Sequence, residues 1–208
     1  MLRILGRTSS LNVRKVLWTA HECALPFVQE PEWAGERSSR EPAFLALNPN
    51  GLVPVVIADE GVLWESNAIA RYFANIAGRD DLLPASPFAR AEVERWMDWQ
   101  ATELNRAWGP AFLALVRNSR PHQADPEGVA KSALDWTAHI LMLEAQVVRT
   151  GAYVAGETFT LADIVLGLSV QRWRLTPIAH PPTPALDAWT DRLRARPSAA
   201  PGFDPTIP

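Results

Sequence analysis

Apolar and polar positions alternate at two different periods along this chain, and the period changes once. Residues 2–6 fit a short strand, and across residues 11–23 the apolar positions Val13, Leu17, Ala20 and Ala24 recur at helical spacing. Residues 26–30 fit a second strand. The polar stretch 31–40, with Gly35 and paired serines, reads as an exposed loop, and 42–47 as a short helix stopped at Asn48-Pro49. Residues 53–57, Val-Pro-Val-Val-Ile, are the most strand-like of the chain, and Asp59-Glu60-Gly61 turns them into Val62-Leu63-Trp64 as a hairpin. Ser66 is placed to cap a helix over 67–77 that Gly78 ends.

Beyond residues 79–87, which hold two acidic residues and two prolines, strand signals almost vanish. The spacing predicts one long helix over 89–116 with a kink at Pro110, because proline removes an intrahelical donor. A loop over 118–126 and a second long helix over 127–149, closed by Gly151, follow. Thr160-Leu-Ala-Asp163 has capping-box spacing, so a third helix runs to about Arg174. Eight of the 18 prolines fall after Leu175 and restrict that segment to one helix over 184–196 and an irregular tail. The expected organisation is a module over 1–78, a linker over 79–87 and an all-helical module over 88–208.

Composition narrows the chemistry. Lys and Arg number 20 against 23 Asp and Glu, so the net charge is −3 and no basic excess invites a phosphate backbone. No nucleic-acid partner is expected. One Cys and four scattered His exclude a disulfide framework and a thiolate-rich metal site, so no metal is expected. No glycine pair stands as G-x-G, and neither G-x-S-x-G nor a P-loop occurs. Short apolar runs and an N-terminus without an apolar signal core point to a cytoplasmic protein away from membranes.

Four segments in this order carry a family resemblance: SSLNVRKVLW at 9–18, ALNPNGLVPVVI at 46–57, LWESNAIARYFA at 63–74 and FTLADIVLG at 159–167. Together they resemble the cytosolic glutathione S-transferase family, in particular bacterial, serine-type members of theta-like and delta-like character. The resemblance implies an α/β thioredoxin-like N-terminal domain and an all-α C-terminal domain. It also implies an enzyme that takes glutathione as cosubstrate, with no metal, and conjugates its thiolate to a hydrophobic or aromatic electrophile, commonly as a homodimer in detoxification. A glutathione-dependent isomerase, dehalogenase or peroxidase would use the same site. Non-catalytic relatives that serve as binding modules share the fold.

By the same resemblance, Val53 and the cis proline Pro54 pair with the cysteinyl backbone of glutathione, while Glu65, Ser66 and Asn67 hold its γ-glutamyl group. A helix N-terminus suits that carboxylate, since its first N–H groups lack partners and the dipole is positive there. Arg40, with Asn50 nearby, is the candidate for the glycyl carboxylate. Where delta-like relatives carry a basic residue this chain has Gly51.

A free thiol of pKa about 8.5 is only about 3% ionised at pH 7, so the enzyme must favour the thiolate. A hydrogen bond to a charged group is worth about 1.5–3 kcal/mol, or roughly one to two pKa units, so one good donor suffices. The family draws it from Tyr, Ser or Cys after the first strand. Here the Tyr residues lie at 72 and 153 and the Cys at 23, so the loop offers Thr8, Ser9, Ser10 and Asn12. In theta-like and delta-like serine classes the Ser precedes an Arg by four, and by that resemblance Ser10, four before Arg14, comes first, then Asn12 and Ser9. Trp96 and Gln100 on the long helix, together with Trp173, are the candidates for the electrophile pocket.

Overall fold

The computed structural model describes residues 1–200, 202–204 and 206–207. Its first module runs β1 (Leu2–Leu5), α1 (Leu11–Glu22), β2 (Phe27–Glu30), α2 (Pro42–Leu45), β3 (Val55–Ala58), β4 (Gly61–Trp64) and α3 (Ser66–Ile76). The strands form one mixed sheet in the order β2-β1-β3-β4. β1 and β2 are parallel, with Leu2 opposite Phe27, and the β1-β3 and β3-β4 pairs are antiparallel. Successive side chains of a strand point to opposite faces. Ile4 and Val56 therefore pack with Val13, Val16 and Leu17 of α1 and with Ile69 and Phe73 of α3, while Leu5 and Val55 meet Trp33 and Phe44 on the other face.

The second module is helical: α4 (Pro87–Trp99), a π turn (Gln100–Leu104), α5 (Asn105–Leu115), α6 (Arg120–Gln123), α7 (Pro126–Thr150), α8 (Leu161–Leu175) and α9 (Pro184–Arg194), then a 3₁₀ turn (Pro197–Ala199). This is a thioredoxin-like α/β domain followed by an all-α domain, as expected. The α8 helix is its axis, buried at every residue from Leu161 to Trp173 and packed on α1, α3, α4 and α9. Fully buried Trp18, Trp136, Trp173 and Trp189 fill the core around it.

Several local readings change. The long helix over 89–116 is interrupted at Gln100–Leu104 by the π turn, ten residues ahead of Pro110. At Pro110 the helix continues because a neighbour mends it. Ser132 Oγ of α7 accepts from the Ala111 N–H at 3.1 Å and donates to the Ala107 carbonyl at 2.6 Å, bridging the rung next to the one that Pro110 removes. The loop over 118–126 contains the one-turn helix α6. The tail is pinned to α1: Arg14 Nη1 donates to the Gly202 and Ile207 carbonyls at 3.2 and 3.0 Å, and Phe203 meets the Trp18 ring edge-on at 5.1 Å.

Candidate active site

A cleft of about 800 Å³ opens between the two modules. The first contributes Ser10, Asn12, Arg40, Asn50, Val53, Pro54, Glu65 and Ser66, and α5 and α8 contribute Asn105, Trp108, Phe112, Leu113 and Arg172. Ser10 is the N-cap of α1, half-buried and extended at φ −85°. Its hydroxyl makes no capping hydrogen bond, so both the hydroxyl and the first N–H groups of the helix stay available to the cleft. Gly6 makes this approach possible. At φ +138° a Cβ on Gly6 would stand 2.6 Å from Val13 Cγ2 and 2.8 Å from Val53 Cβ, so only glycine lets β1 turn into α1 beside Val53. The Val53-Pro54 peptide is cis, and Val53 stands ahead of the β3 ladder.

The start of α3 forms the adjoining wall. Its N-cap is Glu65, held at φ +73°, and Ser66 is the first helical residue. This corrects the reading of Ser66 as the cap. The first closed bond of the helix is Ile69 N–H to the Glu65 carbonyl at 2.9 Å, so the N–H groups of Ser66, Asn67 and Ala68 have no intrahelical acceptor. An exposed carboxylate and these amide donors thus converge on one end of the cleft. The exposed Arg40, also on the cleft lining, donates from Nη1 to the Asn50 carbonyl at 3.2 Å. A Cβ at Gly51 would lie 2.8 Å from that Nη1, so the Arg40 guanidinium occupies the space that a side chain at 51 would fill.

The sequence profile of the glutathione S-transferase N-terminal domain matches residues 9–76, and that of the C-terminal domain matches 109–197. Glutathione S-transferase GstB of Escherichia coli (strain K12) is 35% identical over 200 residues, 95% of this chain and 95% of its own. The chain belongs to the glutathione S-transferase family. A theta class glutathione S-transferase of Xanthomonas axonopodis pv. citri, crystallised with glutathione bound, aligns at TM-score 0.89 with 33% identity, covering 99% of this chain and 98% of that one. The family also extends to a probable elongation factor 1-gamma 1 of Arabidopsis thaliana, 34% identical over 132 residues, which are 62% of this chain and 30% of that protein.

Within this glutathione S-transferase fold, five residues named from sequence lie outside the cleft lining. Ser9 is half-buried, and its carbonyl accepts from Arg117 Nη2 at 3.1 Å. Asn67 is buried and donates to the Met97 carbonyl at 2.8 Å. Trp96 packs on the helical core, edge-on to Trp99. Trp173 is buried in the core, meeting His180 edge-on and facing Thr137 Oγ1 at 3.4 Å. Gln100 is fully buried by the π turn. The helix side chains that line the cleft are Trp108, Phe112 and Leu113, roughly two to four turns beyond Gln100.

Gln100 and Asn67 serve another purpose. Lys15 of α1, 1% exposed, donates to Gln100 Oε1 at 2.6 Å and Asn67 Oδ1 at 3.3 Å. Gln100 Nε2 and Trp108 Nε1 both donate to Asn105 Oδ1 at 2.8 Å, so the network ties both modules together and ends on a cleft residue. Burial draws the Lys15 ammonium down to about 7, with Arg172 adding to the effect and Glu65 opposing it. An unfolded lysine keeps its proton until about pH 10.4. Between these values the unfolded chain binds one proton more than the native one, so Lys15 makes stability rise with pH. Urea denaturation at about pH 7 and about pH 9 should show the wild type gaining about 1–2 kcal/mol relative to Lys15→Met across that interval. Parallel pH dependence in the two proteins would refute this.

Sequence reasoning missed the cations of the cleft. Arg7, Arg37, Arg117 and Arg172 line it together with Arg40. Arg172 lies in the part of α8 that is buried throughout, a setting that its sequence neighbours Gln171 and Arg174 do not betray.

Proposed function

We propose that the protein is a serine-type, theta-like or delta-like glutathione transferase. The observation that carries this reading is Ser10, whose hydroxyl lines the cleft at the N-cap of α1 without being used as a cap. That hydroxyl donates to the glutathione sulfur and favours its thiolate, with the positive end of α1 and Asn12 as further donors. The thiol proton passes to solvent, and the thiolate attacks an electrophilic carbon and forms a C–S bond, either as a leaving group departs with its bonding pair or as a C=C π bond opens and its far carbon takes a proton from solvent. Glutathione lies along the module of 1–78, its cysteinyl backbone on Val53. Ser66 and the free α3 amides take the γ-glutamyl carboxylate, Glu65 takes the ammonium, and Arg40 with Asn50 takes the glycyl end. The module of 88–208, reached through 79–87, supplies the electrophile wall. Supporting the glutathione part are the GstB relative and the glutathione-bound structure that this chain resembles. The protein acts in the cytoplasm as a homodimer, with detoxification as its setting.

The test is an ultraviolet titration of the bound glutathione thiolate. Ser10→Ala should raise its pKa by about one to two units, the equivalent of one charge-assisted hydrogen bond, and Asn12→Ala by less. Asn12 is the activator if only its removal moves the pKa. The match to elongation factor 1-gamma supports one rival, a non-catalytic binding module. Retention on immobilised glutathione separates the two, because a protein that fails to bind millimolar glutathione is not a transferase.

A further inference from the structure

The cleft carries more positive charge than glutathione matches. Among the described residues, five arginines line it against one carboxylate, Glu65. Arg37 is already paired with Glu41 at 3.0 Å, and Arg40 lies at the proposed glycyl end. Arg172 is the informative one. It is 5% exposed yet lines the cleft, its Nε is buried without a partner, and among the described residues no carboxylate pairs with its guanidinium. It lies over the rings of Phe112 at 4.2 Å and Trp108 at 4.8 Å. Burial first, then the charges of Arg14 and Arg117, lower its pKa to about 9. A buried guanidinium without a counter-charge is unfavourable, and ring contacts recover only about 2 kcal/mol. A ligand that brings its own anion removes the imbalance.

Resting on the transferase reading, we propose that the electrophile taken by this cleft bears a carboxylate, held by Arg172 beside Arg117, with its flat apolar part against Trp108 and Phe112. The planar guanidinium fork matches a carboxylate, and the aromatic wall matches an aryl or other flat body.

Two substrates that differ at one group test this: 4-chloro-3,5-dinitrobenzoate and its primary amide. In both, the glutathione sulfur bonds to the chlorine-bearing carbon, chloride leaves with the C–Cl electron pair, and the thiol proton goes to the buffer. The readout is the ratio of kcat/KM for carboxylate over amide, in which intrinsic ring reactivity cancels between variants. Arg172→Gln should lower that ratio by about tenfold or more, the factor for one charge-assisted hydrogen bond, and Arg172→Lys should keep part of it. An unchanged ratio overturns the proposal, including the case in which both substrates slow equally because Arg172 serves the thiolate. Calorimetric binding of the two glutathione conjugates repeats the comparison without turnover. If neither compound reacts but wild type prefers the carboxylate conjugate and Arg172→Gln loses that preference, the pocket stands and the transferase reading falls. Equal binding of the two conjugates by wild type overturns the pocket.

Discussion

Replacing Asp163 with alanine is expected to lower folding stability by about 3–5 kcal/mol, more than any other single change considered for this chain. The carboxylate is fully buried at the start of α8. Its Oδ1 accepts from the Val154 N–H and Trp189 Nε1, both at 2.9 Å, and its Oδ2 accepts from the Thr160 N–H at 2.9 Å and hydroxyl at 3.1 Å. One side chain therefore fixes the N-terminus of α8, the turn before it and α9. Burial pushes the Asp163 carboxyl up in pKa even though all four donors favour the charged form, so the charge itself adds little net stability. The loss comes from what alanine leaves behind, three buried N–H groups with no acceptor, at about 1–3 kcal/mol each before relaxation. For a chain of this size about 1 kcal/mol shifts Tm by roughly 2–4 °C, so a drop of about 10 °C should appear by far-ultraviolet circular dichroism. Asp163→Asn should fall between the two, since its amide keeps one oxygen and turns a donor toward another donor. A loss below about 1 kcal/mol for Asp163→Ala would mean that the α8 start is not held this way.

The capping residue at 163 was legible because capping-box spacing is a local signal, and the strand and helix periods of the first module were legible for the same reason. Features that depend on distant packing were not. The stripe Trp96, Trp99, Gln100, Leu104 and Trp108 follows one helical face only while the helix stays regular. The π turn at Gln100–Leu104 adds a residue, which rotates everything after it by about 100° relative to α4. Gln100, where the turn begins, faces inward to Lys15, and beyond the turn Trp108 and Phe112 meet the cleft. The Lys15 site was hidden likewise, because adjacent Arg14 and Lys15 look like a solvated turn until α8 and the tail cover α1. Glu65 shows the limit most directly. Side-chain sterics disfavour positive φ for a glutamate, so Ser66, the better intrinsic cap, was the natural choice from composition.

That same strained backbone yields the last expectation, for Glu65→Gly. A non-glycine residue in a sparsely populated region costs about 1–3 kcal/mol and persists where surrounding structure or function demands it. At φ +73°, ψ +107° Glu65 is such a residue, and its side chain makes no capping hydrogen bond that would compensate. It is also exposed, on the cleft, and ahead of the open α3 amides. If its carboxylate holds the γ-glutamyl ammonium, its removal takes away a charge-assisted hydrogen bond of about 1.5–3 kcal/mol and weakens glutathione binding by roughly 10- to 150-fold. Glycine meanwhile relieves the strain, offset by about 0.5–1 kcal/mol of added chain entropy in the unfolded state. The variant should therefore be as stable as wild type, or more stable by about 1 kcal/mol, while KM for glutathione rises by the factor above. A purely structural role predicts the opposite pair, lower stability in urea with KM unchanged. Measuring both on one preparation distinguishes them, and Glu65→Gln, which keeps the strain and loses the charge, should share the KM defect without the gain in stability.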